Sequence, residues 1–417
     1  MEKELFRTII AENQEYIGRI PLVQRPLDLE EYGNYVFVGV RQAGKSYLLY
    51  QRIQQLLANG VDIEDIVYIN FDDERLQGMS VTDLDFILQA YHSMYESQPI
   101  FFFDEIQNVE GWANFARRLA NQKYRVYITG SNAKMLSRDI ETVLGGRYLD
   151  ISVFPYSFSE YLKAVGVLVS KNWQYGRKAN ELQRHFRTYF EWGGFPELVH
   201  FQEKRVWLNS LYNRIFFNDL VVRHKVKNED ALRLCVRRLA ESVKQPCSLN
   251  RLSNLIKATG TPCSPSTVME YVRYLQESCL LISIDNYASK FVEKETIKKH
   301  YFVDNGLLHL FINNPNTSLL ENLCTITLYK KYGKGLYYYN RNIEVDFYVP
   351  DEGLAVQASY QMSDEETIER EVKALVTLHG LYPLKRAMII TYEDEGEIVR
   401  DGLKIEIRPA WKWVLEG

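Results

Sequence analysis

Residues 39–46 have the sequence Gly39-Val40-Arg41-Gln42-Ala43-Gly44-Lys45-Ser46, which fits the pattern G-x-x-x-x-G-K-[ST] at every position. The apolar run 35–38 before it predicts a short buried strand, and the run 47–51 after it predicts the start of a helix. A glycine-containing turn between a strand and a helix presents backbone N–H groups and a helix N-terminus, and both bind phosphate. The stretch therefore predicts a phosphate-binding loop.

The residues of this loop are candidates for holding a nucleotide. Lys45 places a positive charge near the β- and γ-phosphates, and the Ser46 hydroxyl is a candidate Mg²⁺ ligand. We expect Gly39 and Gly44 to let the backbone fold around the phosphates. The predicted nucleotide-binding residues are Gly39, Arg41, Gln42, Ala43, Gly44, Lys45, Ser46 and Tyr47. The predicted cofactors are ATP and Mg²⁺. ATP is favoured over GTP because no N-K-x-D guanine-binding motif follows the fourth predicted strand.

A second signal for a phosphate site is the apolar run 100–103, which leads directly into Asp104 and Glu105. Such a run predicts a strand buried on both faces, and open α/β sheets bind ligands at the carboxyl ends of their strands. We expect Asp104 to hold Mg²⁺ together with Ser46, and Glu105 to polarise the attacking water. By itself this stretch predicts only a core strand before a solvated turn, so the preceding phosphate-binding loop is what favours the catalytic interpretation.

Further catalytic candidates follow the strand predicted at 124–130. Asn132, after Ser131, is a candidate for contact with the γ-phosphate or the water, although polar turns are common after any strand. Arg138 and Arg147 are candidates for stabilising transition-state charge, and ordinary surface arginines are the alternative. Arg147 is preferred because the two glycines before it allow a close approach of the backbone.

The order of these motifs resembles a large family of uncharacterised prokaryotic AAA-type ATPases. The matching stretches are GVRQAGKS, INFDDERL, FFFDEIQNVEGW, ITGSNAKML and GGRYLDISVFPYSFSEYL. Three later landmarks are similar to the C-terminal region of that family: YFEWGGFPE at 189–197, YFVDNGL at 301–307 and EVDFYV at 344–349. The resemblance implies a RecA-like ATPase core, then a winged-helix segment, then a domain similar to restriction endonucleases.

We expect an α/β protein with four segments. Strands predicted at 35–38, 66–71, 100–103, 125–129 and 149–153 alternate with helices, which indicates a parallel sheet covered on both faces. The predicted segments are an ATPase domain at 1–155, a helical connector at 156–228, a winged-helix-like segment at 229–300 and a restriction-endonuclease-like domain at 301–417.

Composition excludes several classes of protein. The 417 residues carry a net charge of −4, so the whole chain is not a general polyanion binder, although a local basic patch is compatible with this value. No apolar run approaches the length of a membrane span. The five cysteines form no C-x-x-C pair and the histidines show no zinc-binding spacing, which favours reduced thiols in a cytoplasmic protein.

The winged-helix interpretation rests on helices predicted at 231–243, 249–259 and 265–278, followed by a strand at 279–284. This order is typical of a DNA-binding module, but the third helix is not basic. Better candidates for phosphate contact are Arg233, Arg237 and Arg238 on the first helix. DNA binding and a role in protein interaction or packing both stay open.

The C-terminal segment contains an incomplete version of a nuclease motif. Asp346 and Gln357-Ala358-Ser359 resemble the acid…(E/Q)-x-K site of restriction-endonuclease-like enzymes, which need carboxylates for Mg²⁺ and a lysine. Ser359 stands at the lysine position, and Gln357 is neutral. With only Asp346 and Glu321 as acids, we expect the nuclease fold without nuclease activity; Lys373 on the next helix leaves the question open.

The main hypothesis is a Mg²⁺-dependent ATPase whose nucleotide state controls the C-terminal half. One alternative is a nucleotide-regulated module that binds DNA or protein with little turnover, and another is an ATP-gated nuclease. The expected partners are ATP and ADP, with DNA or a protein bound by the C-terminal half, and no membrane. Oligomeric state stays open, because Arg147 could act within its own chain or on a second copy.

Overall fold

The computed structural model describes residues 3–133, 142–169 and 171–416. The chain divides into two compact units. The first is Met1–Phe154 with Glu277–Cys279, and the second is Pro155–Gln276 with Leu280–Gly417. Arg138 lies outside the described residues, so its predicted role stays a prediction.

The first unit contains a five-stranded parallel sheet in its described residues. The strands are β1 (Tyr35–Val38), β2 (Ile66–Asn70), β3 (Ile100–Asp104), β4 (Arg125–Gly130) and β5 (Leu149–Ser152). Their order is β2-β3-β4-β1-β5, and each neighbouring pair is parallel. The predicted strands are confirmed, as is the parallel α/β class. Because all strands point the same way, the residues that follow β1, β3 and β4 meet at one edge of the sheet.

In the part of the first unit that the structure describes, four α-helices pack around this sheet. They are α1 (Lys3–Tyr16), α2 (Lys45–Ala58), α3 (Asp85–Tyr91) and α4 (Trp112–Asn121). The buried side of α1 consists of Phe6, Ile9 and Ile10, whose spacing places them on one face of a helix. They join a core that includes the fully buried Val67 and Phe101 from neighbouring strands, so burial of apolar surface holds the helix against the sheet.

The second unit is built on a nine-stranded sheet, counted over its described residues. The strands are β6 (Cys247–Ser248), β7 (Leu281–Asn286), β8 (Ile297–Phe302), β9 (Tyr337–Asn340), β10 (Glu344–Val349), β11 (Leu354–Ala358), β12 (Arg386–Thr391), β13 (Gly396–Arg400) and β14 (Leu403–Pro409). Their order is β13-β14-β12-β11-β10-β9-β7-β8-β6. The strand predicted at 279–284 corresponds to β7, whereas the short or exposed strands β6 and β13 and the strand β8 were not predicted.

Helices surround this second sheet. They are α5 (Phe158–Ala164), α6 (Gly176–Trp192), α7 (Lys204–Arg214), α8 (Glu229–Glu241), α9 (Leu249–Lys257), α10 (Pro265–Glu277), α11 (Phe291–Thr296), α12 (Asn305–His309), α13 (Asn316–Tyr332), α14 (Glu365–Leu381) and α15 (Ala410–Glu416). A π-helical segment, Ile215–Val222, continues α7. The order α8, α9, α10 and the β7–β8 hairpin is that expected for a winged helix, and this assignment stays a prediction.

One sheet runs through two of the predicted segments. The β7–β8 hairpin belongs to the segment 229–300, yet β7 also pairs in parallel with β9 from the segment 301–417. The first of the four predicted segments ends one residue after the division between the units at Phe154. No division between compact units falls at residues 229 or 301, because backbone hydrogen bonds cross from one segment to the other.

Two landmarks of the C-terminal region contact each other directly. The Asp304 carboxylate accepts hydrogen bonds of 2.8 Å from the backbone N–H groups of Gly194 and Gly306. A Cβ atom on Gly193, whose φ is +80°, would lie 1.9 Å from Asp304 Oδ1. Burial raises the pKa of Asp304 to about 6, against the lowering effect of these N–H donors. The other two glycines are constrained by backbone atoms, since a Cβ atom on Gly194 would lie 2.2 Å from Tyr156 O and one on Gly306 would lie 2.1 Å from Trp192 O. Close packing therefore explains the glycines of both landmarks.

Candidate functional site

The predicted phosphate-binding loop connects β1 to α2 in the first unit. Gln42 (φ 62°) and Gly44 (φ 93°) both adopt left-handed backbone conformations, and α2 begins at Lys45. The Ala43 N–H donates to Val40 O over 3.2 Å and closes the turn. The backbone thus forms a tight loop directly before a helix N-terminus, which is the geometry that binds phosphate.

The position of Gly39 also leaves no room for a side chain. Its N–H donates to Gly130 O, and a Cβ atom at this position would lie only 2.0 Å from Val153 O. Gly39 is therefore also subject to a packing constraint, because no side chain fits between the loop and the end of β5. Its role in folding the loop around phosphate stays a prediction.

The ammonium group of Lys45 lies under the loop. Its side chain is 3% exposed, and Nζ donates to Gly39 O (3.2 Å) and Val40 O (3.3 Å). Nζ also lies 3.4 Å from Glu105 Oε1. Burial acts to raise the pKa of Glu105, but the charges on Lys45 and Arg41 and the Gln107 hydrogen bond outweigh burial and lower it. Glu105 is therefore held as a carboxylate beside a lysine placed for phosphate.

Asp104 is buried at the end of β3 and receives three side-chain hydrogen bonds. Tyr68 donates to Oδ2 over 2.8 Å, Thr129 donates to Oδ1, and Ser46 also hydrogen-bonds to this carboxylate. Burial and the nearby charge of Glu105 raise the pKa of Asp104, while the three donors oppose that rise. The Ser46 hydroxyl and the Asp104 carboxylate are hard oxygen donors in contact with each other, and such a pair fits Mg²⁺.

Hydrogen bonds to Gln107 in the following turn and to Thr129 on β4 also hold Glu105 in place. Its backbone is left-handed (φ 52°), and its N–H donates to Thr129 Oγ1 over 2.9 Å. Gln107 Nε2 donates to Glu105 Oε2 and lies 3.4 Å from Ser131 Oγ. The motifs did not identify Tyr68, Thr129 or Gln107. Their only sequence signal is a polar residue within or directly after an apolar run, which is too common to identify a site.

The extended segment before β1 is attached to the loop and to α2. The Arg25 guanidinium donates to Ala43 O (3.1 Å) and Phe154 O (3.0 Å). The Gln51 amide pairs with the Arg25 backbone through two hydrogen bonds of 2.9 and 2.8 Å. This arrangement holds the segment before β1 beside the predicted nucleotide site.

Two other predicted residues lie near the loop. Asn132 follows β4, which pairs with β1 up to Val38 and Gly130, so Asn132 lies at the same sheet edge as the loop. Tyr47, in the first turn of α2, is 54% exposed, and its ring meets Tyr50 edge-on with centroids 5.5 Å apart. Both positions are compatible with the predicted contacts.

The structure does not bring Arg147 to the loop of its own chain. Leu149, two residues later, pairs with Tyr35 at the start of β1, whereas the loop follows the end of β1. β1 has four residues and spans about 13 Å, which separates the Tyr35 end of the sheet from the loop. Arg147 is exposed, and its Nη1 donates to Gly145 O over 3.0 Å. Arg147 therefore lies at the edge of the sheet opposite the loop of its own chain, and its catalytic role stays a prediction.

The arginines predicted to contact DNA already have partners inside the second unit. The Arg233 guanidinium lies 4.0 Å from the centroid of the Phe216 ring. Arg237 and Arg238 both pair with Glu241, over 3.4 and 2.7 Å. Their contact with phosphate stays a prediction, and it would require competition with these internal partners.

The nuclease-like residues are used for structural contacts. Gln357 Oε1 accepts a hydrogen bond from the Asp346 N–H (2.8 Å), and Gln357 Nε2 donates to Glu344 O (3.0 Å). The Ser359 hydroxyl donates to Gln361 O over 3.1 Å. Within the ranges that the structure describes, no group of three or more His, Cys, Asp or Glu residues is arranged to hold a metal ion.

Two further expectations concern cysteines and membrane spans. All five cysteines are free thiols, and four of them are buried. Across residues 3–133, 142–169 and 171–416, no helix has both the length and the apolar character that a membrane span requires.

Two separate parts of the chain match known family models. A family model described as an AAA domain matches residues 32–162, and a model described as a domain of unknown function, DUF8612, matches residues 183–318. An uncharacterized protein of Methanocaldococcus jannaschii is 32% identical over 434 aligned residues, which cover 99% of this chain and 96% of the relative. The chain belongs to the family of this archaeal protein.

A bacterial protein is also similar to this chain. An uncharacterized protein of Haemophilus influenzae is 29% identical over 396 residues, covering 91% of this chain and 94% of the relative. Among solved structures, the Walker-type ATPase of Pyrococcus abyssi aligns with 74% of this chain and 95% of its own length, at 13% identity and a TM-score of 0.39. The AAA match, which includes the loop and both acids, identifies the first unit as a P-loop ATPase-type domain of this family.

Proposed function

We propose that the first unit binds ATP with Mg²⁺ and hydrolyses it, and that its nucleotide state controls the second unit. One observation carries this proposal: residues from the loop and from the end of β3 form one contact network. Lys45 Nζ lies 3.4 Å from Glu105 Oε1, and Ser46 hydrogen-bonds to Asp104. A phosphate-binding cation, a metal-binding pair and a carboxylate base are thus in direct contact.

Binding of the nucleotide would exchange the partners of Lys45. Its ammonium group now contacts two loop carbonyls and Glu105, and phosphate oxygens compete for all three contacts. Release from Lys45 leaves Glu105 with Gln107 and frees a carboxylate oxygen to orient water. Ser46 and Asp104 hold Mg²⁺, which supplies charge neutralisation at the β- and γ-phosphates when it is bound. Asn132 is proposed to contact the γ-phosphate or the attacking water.

Phosphate release from ATP in the presence of Mg²⁺ tests this proposal. Glu105→Gln should keep nucleotide binding and lower turnover by about 10²- to 10⁴-fold, the usual contribution of a general base. The exposed Glu110 supplies a matched control, since Glu110→Gln should leave turnover unchanged. Lys45→Ala should abolish tight binding of nucleotide. Normal turnover by Glu105→Gln would show that Glu105 is not the base.

A second candidate function is nucleotide-regulated recognition with little turnover. It requires the Lys45–Glu105 ion pair to persist when nucleotide is bound, because a base held by the phosphate-binding lysine is not free to act on water. The second unit would then bind DNA or a protein. Turnover measured with and without DNA separates the possibilities: stimulation by DNA that is lost on substituting Arg233, Arg237 and Arg238 indicates a DNA-responsive enzyme. The proposed location is the cytoplasm.

An ATP-gated nuclease is the least supported candidate. Gln357 and Ser359 contribute a neutral amide and a hydroxyl where metal chemistry requires charge, and both side chains are already hydrogen-bonded within the unit. Metal-dependent DNA cleavage that disappears in Asp346→Ala would restore this alternative.

A further inference from the structure

A buried lysine on β8 joins three carboxylates in the second unit. The side chain of Lys299 is 0% exposed. Its Nζ lies 3.2 Å from Glu321 Oε1, 3.0 Å from Asp346 Oδ1 and 3.0 Å from Glu344 Oε1. A lysine is almost never fully buried unless it is paired. We call Lys299, Glu321, Glu344 and Asp346 the lysine–carboxylate cluster.

Neighbouring groups hold the cluster in place. The Tyr301 hydroxyl donates to Glu321 Oε1 over 2.7 Å, and the Ala358 N–H donates to Asp346 Oδ2 over 3.1 Å. The centroid of the Tyr338 ring lies 5.6 Å from Lys299 Nζ, which adds a cation–π contact. The carboxylates are therefore oriented towards the ammonium group by β8, α13, β10 and the end of β11.

The Lys299 ammonium lies where the three carboxylates converge. Burial acts to lower the pKa of Lys299, but Tyr301 and the three carboxylates outweigh burial and raise it. Burial and the charge on Asp346 raise the pKa of Glu321 to about 7. Carboxylates are the usual ligands of Mg²⁺ or Ca²⁺, but with Lys299 between them these three are not arranged as a metal-binding group in the part of the chain that the structure describes. Here the point where they converge is taken by an ammonium group that belongs to the protein.

We propose that the Lys299 ammonium is the built-in cation of this cluster and excludes divalent metal from it. Removing the ammonium should then expose a divalent-cation site formed by Glu321, Glu344 and Asp346. This inference is independent of ATP hydrolysis by the first unit. It also gives a physical reason why the second unit would lack metal-dependent nuclease activity: its acidic residues are already neutralised from within.

Calorimetric titration with Mn²⁺, without nucleotide, tests the inference on the full chain. The parent protein carries Asp104→Asn, so that the predicted metal site of the first unit does not contribute. The parent should show no Mn²⁺ binding that depends on Asp346. Adding Lys299→Met should produce one Mn²⁺ site, with an affinity at least about tenfold above the parent, and a further Asp346→Asn should remove it.

The neighbouring lysine on the same strand supplies the matched control. Lys298 pairs with the partly exposed Asp285 over 3.0 Å, so Lys298→Met should leave Mn²⁺ binding at the parent level. A folded Lys299→Met protein that binds no Mn²⁺ would overturn the inference. If the Lys299→Met protein does not fold, Mn²⁺ binding is compared between the parent and the parent with Asp346→Asn. Binding by the parent that is lost on Asp346→Asn overturns the inference, and absence of such binding supports it.

Discussion

Tyr68 is buried on β2 beside the predicted metal-binding carboxylate, and its hydroxyl donates to Asp104 Oδ2 over 2.8 Å. The same hydroxyl lies 3.1 Å from the Tyr50 hydroxyl. Thr129 occupies the other oxygen of Asp104, so both carboxylate oxygens have fixed donors. At the scale of single residues, the orientation of Asp104 thus depends on side chains outside every recognised motif.

Tyr68→Phe should alter the Mg²⁺ dependence of the proposed ATPase. A hydrogen bond to a charged group contributes about 1.5–3 kcal/mol, so the Mg²⁺ concentration for half-maximal turnover should rise about tenfold or more. The KM for ATP at saturating Mg²⁺ should change little. Turnover measured over a Mg²⁺ series checks this. Tyr50→Phe is the control, with a smaller expected shift because Tyr50 does not contact Asp104. An unchanged Mg²⁺ dependence in Tyr68→Phe would remove Tyr68 from the metal site.

Gly39→Ala should damage the loop through a steric clash. The added Cβ would lie 2.0 Å from Val153 O, a backbone atom that moves only with the end of β5. We expect a loss of about 1–3 kcal/mol or more in unfolding free energy, together with weaker ATP binding. Thermal unfolding and nucleotide titration measure the two effects. Gly380→Ala, in a helix with no atom within 4 Å of the new methyl, should be neutral or slightly stabilising.

At the scale of elements, the end of α6 and the start of α12 are joined by the buried carboxylate of Asp304. Both oxygens of this group accept backbone N–H donors, and a Cβ atom on Gly306 would lie 2.1 Å from Trp192 O. Asn305 adds a hydrogen bond of 2.9 Å to Phe190 O. These contacts attach the helix break after Trp192 to the segment between β8 and α13. They hold the landmarks YFEWGGFPE and YFVDNGL together.

Asp304 should make the stability of the protein dependent on pH. Its pKa is raised in the folded protein to about 6, above the ordinary value of 3.8. The protonated form is therefore favoured by folding, and this contribution is fully present below about pH 4 and is lost as the pH rises through about 6. The shift corresponds to about 3 kcal/mol over that interval.

Asp304→Asn removes this titration and should flatten the stability profile between pH 4 and 6. It should also lower stability at every pH, because the amide nitrogen cannot accept a hydrogen bond from a backbone N–H. Urea unfolding at several pH values measures both effects. The exposed Asp351 provides the control Asp351→Asn, which should keep the parent profile. A parent slope that survives in Asp304→Asn would assign the pH dependence to another group.

At the scale of the whole molecule, the position of Arg147 favours action on the phosphate-binding loop of another copy of the chain over action on its own loop. Arg147 is exposed and lies at the sheet edge opposite the loop of its own chain. If Arg147 supplies transition-state charge, ATP turnover per chain should fall on dilution, and Arg147→Ala should lower turnover about 10³-fold or more. Mixing this variant with Glu105→Gln should restore part of the activity.

Arg117 supplies the control for this experiment, because it is equally exposed on α4. Arg117→Ala should leave turnover and its concentration dependence as in the parent. If turnover is independent of dilution and Arg147→Ala is fully active, Arg147 has no catalytic role.

The sequence by itself determined the parallel α/β class, the strands of the first sheet, the phosphate-binding loop and the acids at the end of β3. Each of these depends on a local pattern: an apolar run, a glycine spacing or an acid directly after a strand. Short, exposed or polar strands such as β13 and β8 lack that pattern, which explains why they were missed.

Only the tertiary structure decided which side chains meet. Tyr68 contacts Asp104 because β2 pairs with β3 in the register that aligns Asn70 with Asp104. Arg147 is separated from the loop by the parallel pairing of β1 with β5. The lysine–carboxylate cluster joins residues from β8, α13 and β10. Such contacts depend on strand order and register, which arise from packing across the whole sheet and leave no local pattern in the sequence.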